Sequence, residues 1–98
     1  MTSTVIQYQT KPERAEENTQ LIAAVFAELD QRQPEGFTYK VFRLEDGASF
    51  IHVFIEHDIA VPDSLQEPVS FKAFIAEIVE RCDSPPVSAA ATIVGGYR

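Results

Sequence analysis

Two runs rich in aromatic and β-branched residues, Phe37 to Leu44 and Ala48 to Glu56, flank Glu45-Asp46-Gly47 in mid-chain. Asp-Gly between such runs is a strong hairpin signal, because glycine supplies the positive φ that a tight reversal requires. An isolated hairpin is barely stable in water, so the rest of the 98 residues has to extend it into a sheet and cover it.

The loop length decides which side each strand shows. A three-residue loop with Gly47 left-handed pairs Leu44 with Ala48, Phe42 with Phe50 and Lys40 with His52. One side then carries Lys40, Phe42, Leu44, Phe50, His52 and Phe54. The other carries Tyr39, Val41, Arg43, Ile51, Val53 and Ile55. A two-residue Asp46-Gly47 loop would turn one strand over relative to its partner. The three-residue form is the expectation, since its second side is almost wholly apolar, as a helix-covered side should be.

The flanks supply the cover. Thr4 to Thr10 reads as a strand, and Thr10-Lys11-Pro12-Glu13 as a capping box with proline in the first turn. Leu21, Ile22, Val25, Phe26 and Leu29 follow at three- and four-residue spacing, the stripe of a helix that Pro34-Glu35-Gly36 stops. His57 to Val69 is a connection of lid-like length. Ser70 then caps a second helix from Phe71 to Arg81 or Cys82, with the stripe Phe71, Phe74, Ile75, Ile78, Val79 and Cys82. Asp83-Ser84-Pro85-Pro86 ends it, and Val87 to Tyr97 is a last strand in which Gly95-Gly96 marks a bulge or close approach.

The order is βαββαβ: an α+β, ferredoxin-like single domain over 1–98, with a four-stranded antiparallel sheet and two helices on one face. Two helices cover one side only. The side bearing Phe42, Leu44, Phe50 and Phe54 is left bare, and apolar patches of that size mark an interface or a groove. A second copy packed sheet to sheet is the economical cover, so a homodimer is expected.

Eight basic and fifteen acidic residues give a net charge of −7, which repels phosphate backbones and anionic lipid and argues against nucleic-acid and membrane partners. Cys82 is the single cysteine, and no stretch reaches the roughly 20 apolar residues of a membrane helix. With no basic and apolar leader visible, the expectation is a cytoplasmic protein with no disulfide. Two histidines without HxH or HxxxH spacing give no metal site, and no cofactor is expected.

Several stretches resemble the dimeric α+β barrel superfamily, in particular its antibiotic-biosynthesis-monooxygenase-like domains, over nearly the whole chain. They are Lys11-Pro12-Glu13 after the first strand, Pro34-Glu35-Gly36-Phe37, Phe50-Ile51-His52-Val53 and Ser70-Phe71-Lys72-Ala73-Phe74. The resemblance implies the fold and the dimer. The superfamily's members include cofactor-free oxygenases of polyketide-like aromatics, haem-degrading enzymes, small-molecule isomerases and many proteins with no known activity. The chain departs from the pattern in lacking the Trp that often ends strand three, where Glu56-His57-Asp58 stands. It also lacks the His common before the second helix, where Leu65-Gln66-Glu67 stands, so no catalytic residue carries over and enzyme status is open.

His52 is the candidate catalytic residue, a base that titrates near neutrality, expected mid-sheet between walls of Phe42, Phe50 and Phe54. Lys40 or Gln7 would stabilise an oxyanion beside it, Gln7 only if Ile6 and Tyr8 pack under the helices. Tyr8 and Tyr39 read as core aromatics with satisfied hydroxyls. Two functions compete: a dimer that binds and acts on a small aromatic or enolisable molecule, and a non-catalytic dimer module for ligand sensing or assembly with a packed interior. A lumen beside His52 favours the first, and one filled with phenylalanine the second.

Overall fold

A computed structural model describes residues 2–33, 36–56 and 73–97. The elements are β1 (Thr2–Thr10), α1 (Ala15–Arg32), β2 (Phe37–Arg43), β3 (Ser49–Glu56), α2 (Ile78–Arg81) and β4 (Cys82–Ala91). The four strands form one antiparallel sheet in the order β2-β3-β1-β4, the ferredoxin-like arrangement expected from the sequence. The expected 57–69 connection, the Ser70 cap and Phe71 lie outside the described residues.

The hairpin register differs from expectation by one residue, and the difference turns β3 over. Leu44 N–H donates to Ser49 O at 2.8 Å, so Leu44 pairs with Ser49 and not with Ala48. Phe42 faces Ile51, Val41 faces His52, and Lys40 faces Val53. Ala48 is drawn out of the ladder because its carbonyl accepts the Thr10 N–H at 2.8 Å, while the Asp46 carboxylate takes the amides of Ala48 and Ser49. The reversal is thereby lengthened to four residues, with Gly47 at φ 78°. Neither asparagine nor a larger residue holds that angle as readily as glycine.

With this register Phe50, His52 and Phe54 share the helix side with Ile6, Tyr8, Phe37, Tyr39 and Val41, whereas Ile51, Val53 and Ile55 lie on the open side. Phe50 is 1% exposed. Of the four apolar residues expected on the bare side, Phe50 and Phe54 are therefore covered, while Phe42 and Leu44 stay exposed beside the aliphatic Ile51, Val53 and Ile55. Residues on β2 stand on the sides expected for them; those on β3 do not.

α1 starts without the expected capping box. Thr10 is the buried last residue of β1, its hydroxyl donating to Ala48 O, and a 3-10 turn at Pro12–Arg14 leads into the helix. Ala15, Asn18, Ile22, Val25 and Leu29 are its buried stripe. Gln33, left-handed at φ 52°, ends it by donating its N–H to Leu29 O.

The second helical stretch is broken. Residues 73–75 are helical, and Glu77 then adopts φ 63°, so α2 starts afresh at Ile78 with its face rotated. Phe74 is buried as expected, but Ile75 and Val79 are exposed and Arg81 takes the inward place. β4 begins at Cys82, earlier than expected. It absorbs Asp83-Ser84-Pro85-Pro86 at two register shifts against β1, as prolines on an edge strand allow. Gly95-Gly96 lies past the end of β4, where an added Cβ would meet nothing within 4 Å, so no close approach explains the pair.

Candidate functional site

Between the sheet and the helices lies an aromatic cluster strung on one chain of hydrogen-bonded side chains. His52 projects from the centre of β3 and is 3% exposed. Its Nε2 is 2.7 Å from the Tyr8 hydroxyl on β1, and its Nδ1 is 2.7 Å from the Tyr39 hydroxyl on β2. Asn18, on the buried stripe of α1, donates Nδ2–H to the Tyr8 oxygen at 2.9 Å. Arg81, 1% exposed at the end of α2, donates Nε–H to Asn18 Oδ1 at 3.2 Å. Its remaining groups donate to Ala76 O and Phe74 O, and its guanidinium lies 5.4 Å from the Phe74 ring centroid. Five elements thus contribute to one unbroken line, Arg81–Asn18–Tyr8–His52–Tyr39.

Rings enclose the line. Tyr8 stacks on Phe50 at 5.5 Å, His52 lies 5.3 Å from Phe74, and Tyr39 stacks on Phe26 at 5.1 Å. Burial disfavours the charged form of each group, as desolvation must. It pushes the His52 pKa down to about 4 and holds both tyrosine hydroxyls well above the ordinary phenol value. At neutral pH His52 is neutral and both tyrosines keep their protons. Among the described residues no carboxylate is within ion-pair distance of Arg81. The guanidinium is compensated by carbonyls, an amide and an aromatic face.

Tyr39 is where this interior meets a surface. A groove of about 280 Å³ between the end of α1 and the start of β2 is lined by Phe26, Leu29, Asp30, Gln33, Phe37 and Tyr39. A second, about 460 Å³, continues along the same seam past Ile22, Val41 and Arg43 and shares Phe26 and Tyr39 with the first. On the other side of the sheet a depression of about 500 Å³ runs over Val5, Gln7, Ile51, Val87 and Ala89.

The six residues expected to form one site are divided by the sheet, although Lys40, Phe42 and Phe50 all border the 460 Å³ groove at the β2 edge. His52, Phe50 and Phe54 stand on the helix side; Lys40, Phe42 and Gln7 stand on the open side. Lys40 and Phe42 are exposed, and so is Gln7, which follows from Ile6 and Tyr8 packing under the helices. The cause is the β3 register set by Ala48. Tyr8 and Tyr39 are core aromatics with bonded hydroxyls, as expected, and they are also the direct partners of His52. Asn18 and Arg81 were not anticipated. Asn18 carries a legible signal, since it sits on the Ala15–Ile22–Val25–Leu29 stripe at helical spacing. Arg81 has none, because the left-handed Glu77 that turns it inward is not written in the local pattern. Among the described residues no group of three His, Cys, Asp or Glu side chains could hold a metal ion. No helix among them is long and apolar enough to cross a membrane.

Sheet order, helix placement and the seam between them give a ferredoxin-like α+β fold that is shared with solved structures named as antibiotic biosynthesis monooxygenases. The particular neighbours bear this out. A crystal structure of an antibiotic biosynthesis monooxygenase superposes with a TM-score of 0.76 at 18% identity, covering 97% of this chain and 100% of that one. A conserved protein from Methanosarcina mazei Go1 gives 0.73 at 20% identity over 92% and 89% of the two chains. A protein from Bacteriodes thetaiotaomicron VPI-5482, described as a candidate antibiotic biosynthesis monooxygenase, gives 0.74 at 17% identity over 95% and 89%. No family model and no curated protein sequence matches the chain.

Proposed function

We propose that the protein is a two-fold dimer that binds a small, flat, largely apolar molecule, and that the ligand lies in the aromatic groove between α1 and β2. The observation that carries this reading is the Tyr39 hydroxyl, held 2.7 Å from a buried neutral histidine and set among Phe26, Phe37 and Leu29 in the groove wall. Apolar walls with few, well-held polar groups are the usual form of a small-molecule site. The reaction class that fits these groups is proton transfer or monooxygenation at a phenolic or enolisable substrate, in keeping with the names of the fold's neighbours. In this reading His52 does not reach the substrate as a base. It acts through Tyr39; Gln7, on the far side of the sheet, takes no part, and Lys40 borders only the 460 Å³ continuation of the groove at the β2 edge.

The dimer would form through the open side, where Val5, Ile51, Val53 and Ile55 offer an aliphatic surface flanked by the exposed Phe42 and Leu44. Burying such surface is favourable by about 25 cal/mol per Å².

Titrating isotope-labelled protein with menadione, a neutral naphthoquinone, tests the placement. Shifts centred on Phe26, Phe37 and Tyr39 support the groove. Shifts confined to Ile51, Val53 and Phe42 would move the site into the dimer lumen and overturn it.

A further inference from the structure

The direction of every hydrogen bond in the buried line follows from one of its ends. Arginine carries donors only. The Asn18 oxygen must therefore face Arg81 Nε, which turns the Asn18 amide N–H toward the Tyr8 oxygen. With its oxygen accepting, Tyr8 has one place for its own proton, His52 Nε2. Were Nε2 protonated instead, the Tyr8 oxygen would receive two donors and its proton would be buried without an acceptor, a state interiors avoid. Nε2 therefore accepts. A neutral imidazole that accepts at Nε2 carries its proton on Nδ1, and Nδ1 donates to the Tyr39 oxygen. One proton is left over. Among the described residues the Tyr39 hydroxyl has no hydrogen-bond partner besides His52, so its O–H is uncommitted, and Tyr39 is a residue of both groove walls on the seam.

We propose that Arg81, through Asn18, Tyr8 and His52, fixes Tyr39 as a hydrogen-bond donor to the α1–β2 groove, and that the groove therefore takes ligands presenting an acceptor oxygen: an enolate, a phenolate or a quinone-type oxyanion. This deepens the reading above and rests on the groove being the ligand site. A ligand that offers only an N–H at this position meets a donor with a donor and loses affinity. Arg81, Asn18, Tyr8 and His52 are positioning residues, since none of the four lines the two grooves on the seam. The guanidinium suits the task because it does not give up its proton at any ordinary pH, so the line cannot reverse.

Two measurements on the full chain decide the matter. Long-range proton–nitrogen correlation at neutral pH, with His57→Asn removing the other histidine signal, reads the His52 tautomer. Nδ1–H is expected. Arg81→Met should let Asn18 turn over and give a mixture of tautomers, and Arg81→Lys should restore Nδ1–H. Should Arg81→Met fail to fold, the unaltered protein still decides the tautomer. In parallel, lawsone (a hydroxynaphthoquinone that is an anion at neutral pH) should bind about tenfold tighter than menadione, and Tyr39→Phe should erase that ratio. Nε2–H in the unaltered protein overturns the direction of the line, whatever binds. Equal affinity for the two quinones overturns the ligand class. If neither quinone binds while Nδ1 holds the proton, the groove is not a ligand site, and both the ligand class and the function proposed above fall.

Discussion

On the helix side of the sheet, every described buried side-chain polar atom has a hydrogen-bond partner, and the aromatic rings lock those partners in place. On the open side, Lys40 and Gln7 reach solvent over an aliphatic floor of Val5, Ile51 and Val53. One sheet, with side chains alternating along each strand, thus separates a specific interior from a generic surface. Position along the strand does not determine the chemistry a residue meets; which side of the pleat it occupies does. His52 and Ile51 are adjacent in sequence, yet His52 bonds Tyr8 and Tyr39 in the interior while Ile51 lies on the open side.

The contrast is sharpest in stability. Phe50→Ala, which removes a ring at 1% exposure, should cost roughly 3–5 kcal/mol in denaturant unfolding. Phe42→Ala, 51% exposed on the other side, should cost under about 1 kcal/mol when the protein is dilute. Comparable losses would dissolve the distinction between the sides. His52→Ala comes next, at roughly 2–4 kcal/mol, because it leaves a cavity and strands the hydroxyls of Tyr8 and Tyr39.

Acid should act on the interior in the same sense. The folded pKa of His52, about 4, lies below its ordinary 6.5. Between those values the unfolded chain takes up a proton that the folded chain refuses. The stability His52 contributes is thus complete above about pH 6.5 and is lost as the pH falls toward 4, by up to about 3 kcal/mol. His52→Phe should flatten unfolding curves across that window, and an unchanged slope would mean that His52 is not held neutral by burial. The smallest effect on the protomer's own stability belongs to the open side. Val53→Glu should shift sedimentation from dimer to monomer at micromolar concentration while changing protomer unfolding by about 1 kcal/mol or less. A persistent dimer would mean that the copies meet elsewhere.

Much of this was legible in the sequence. Apolar periodicity and the Asp46-Gly47 signal yield the element order, and the stripe of α1 is where the spacing puts it. The face of β3 was not legible, because it depends on whether Ala48 pairs with β2 or docks on Thr10. That contact spans 38 residues and leaves no local trace. The consequence for the site is direct. His52 is identifiable from its type and its central place, but its neighbours are not. A register error of one residue exchanges Lys40 and Phe42 for Tyr8 and Tyr39. Arg81 escapes for a related reason, since a single left-handed residue at position 77 redirects a helix end whose pattern otherwise points Val79 inward.

The prolines in β4 bear on how the molecule behaves in a crowd. β4 is a rim of the sheet, and Pro85 and Pro86 remove two amide donors from the strand just where its ladder with β1 is already irregular. A foreign strand seeking to add to that rim finds gaps where it needs partners, so growth into open-ended fibrils is blocked there. That rim is thereby a poor template for strand addition.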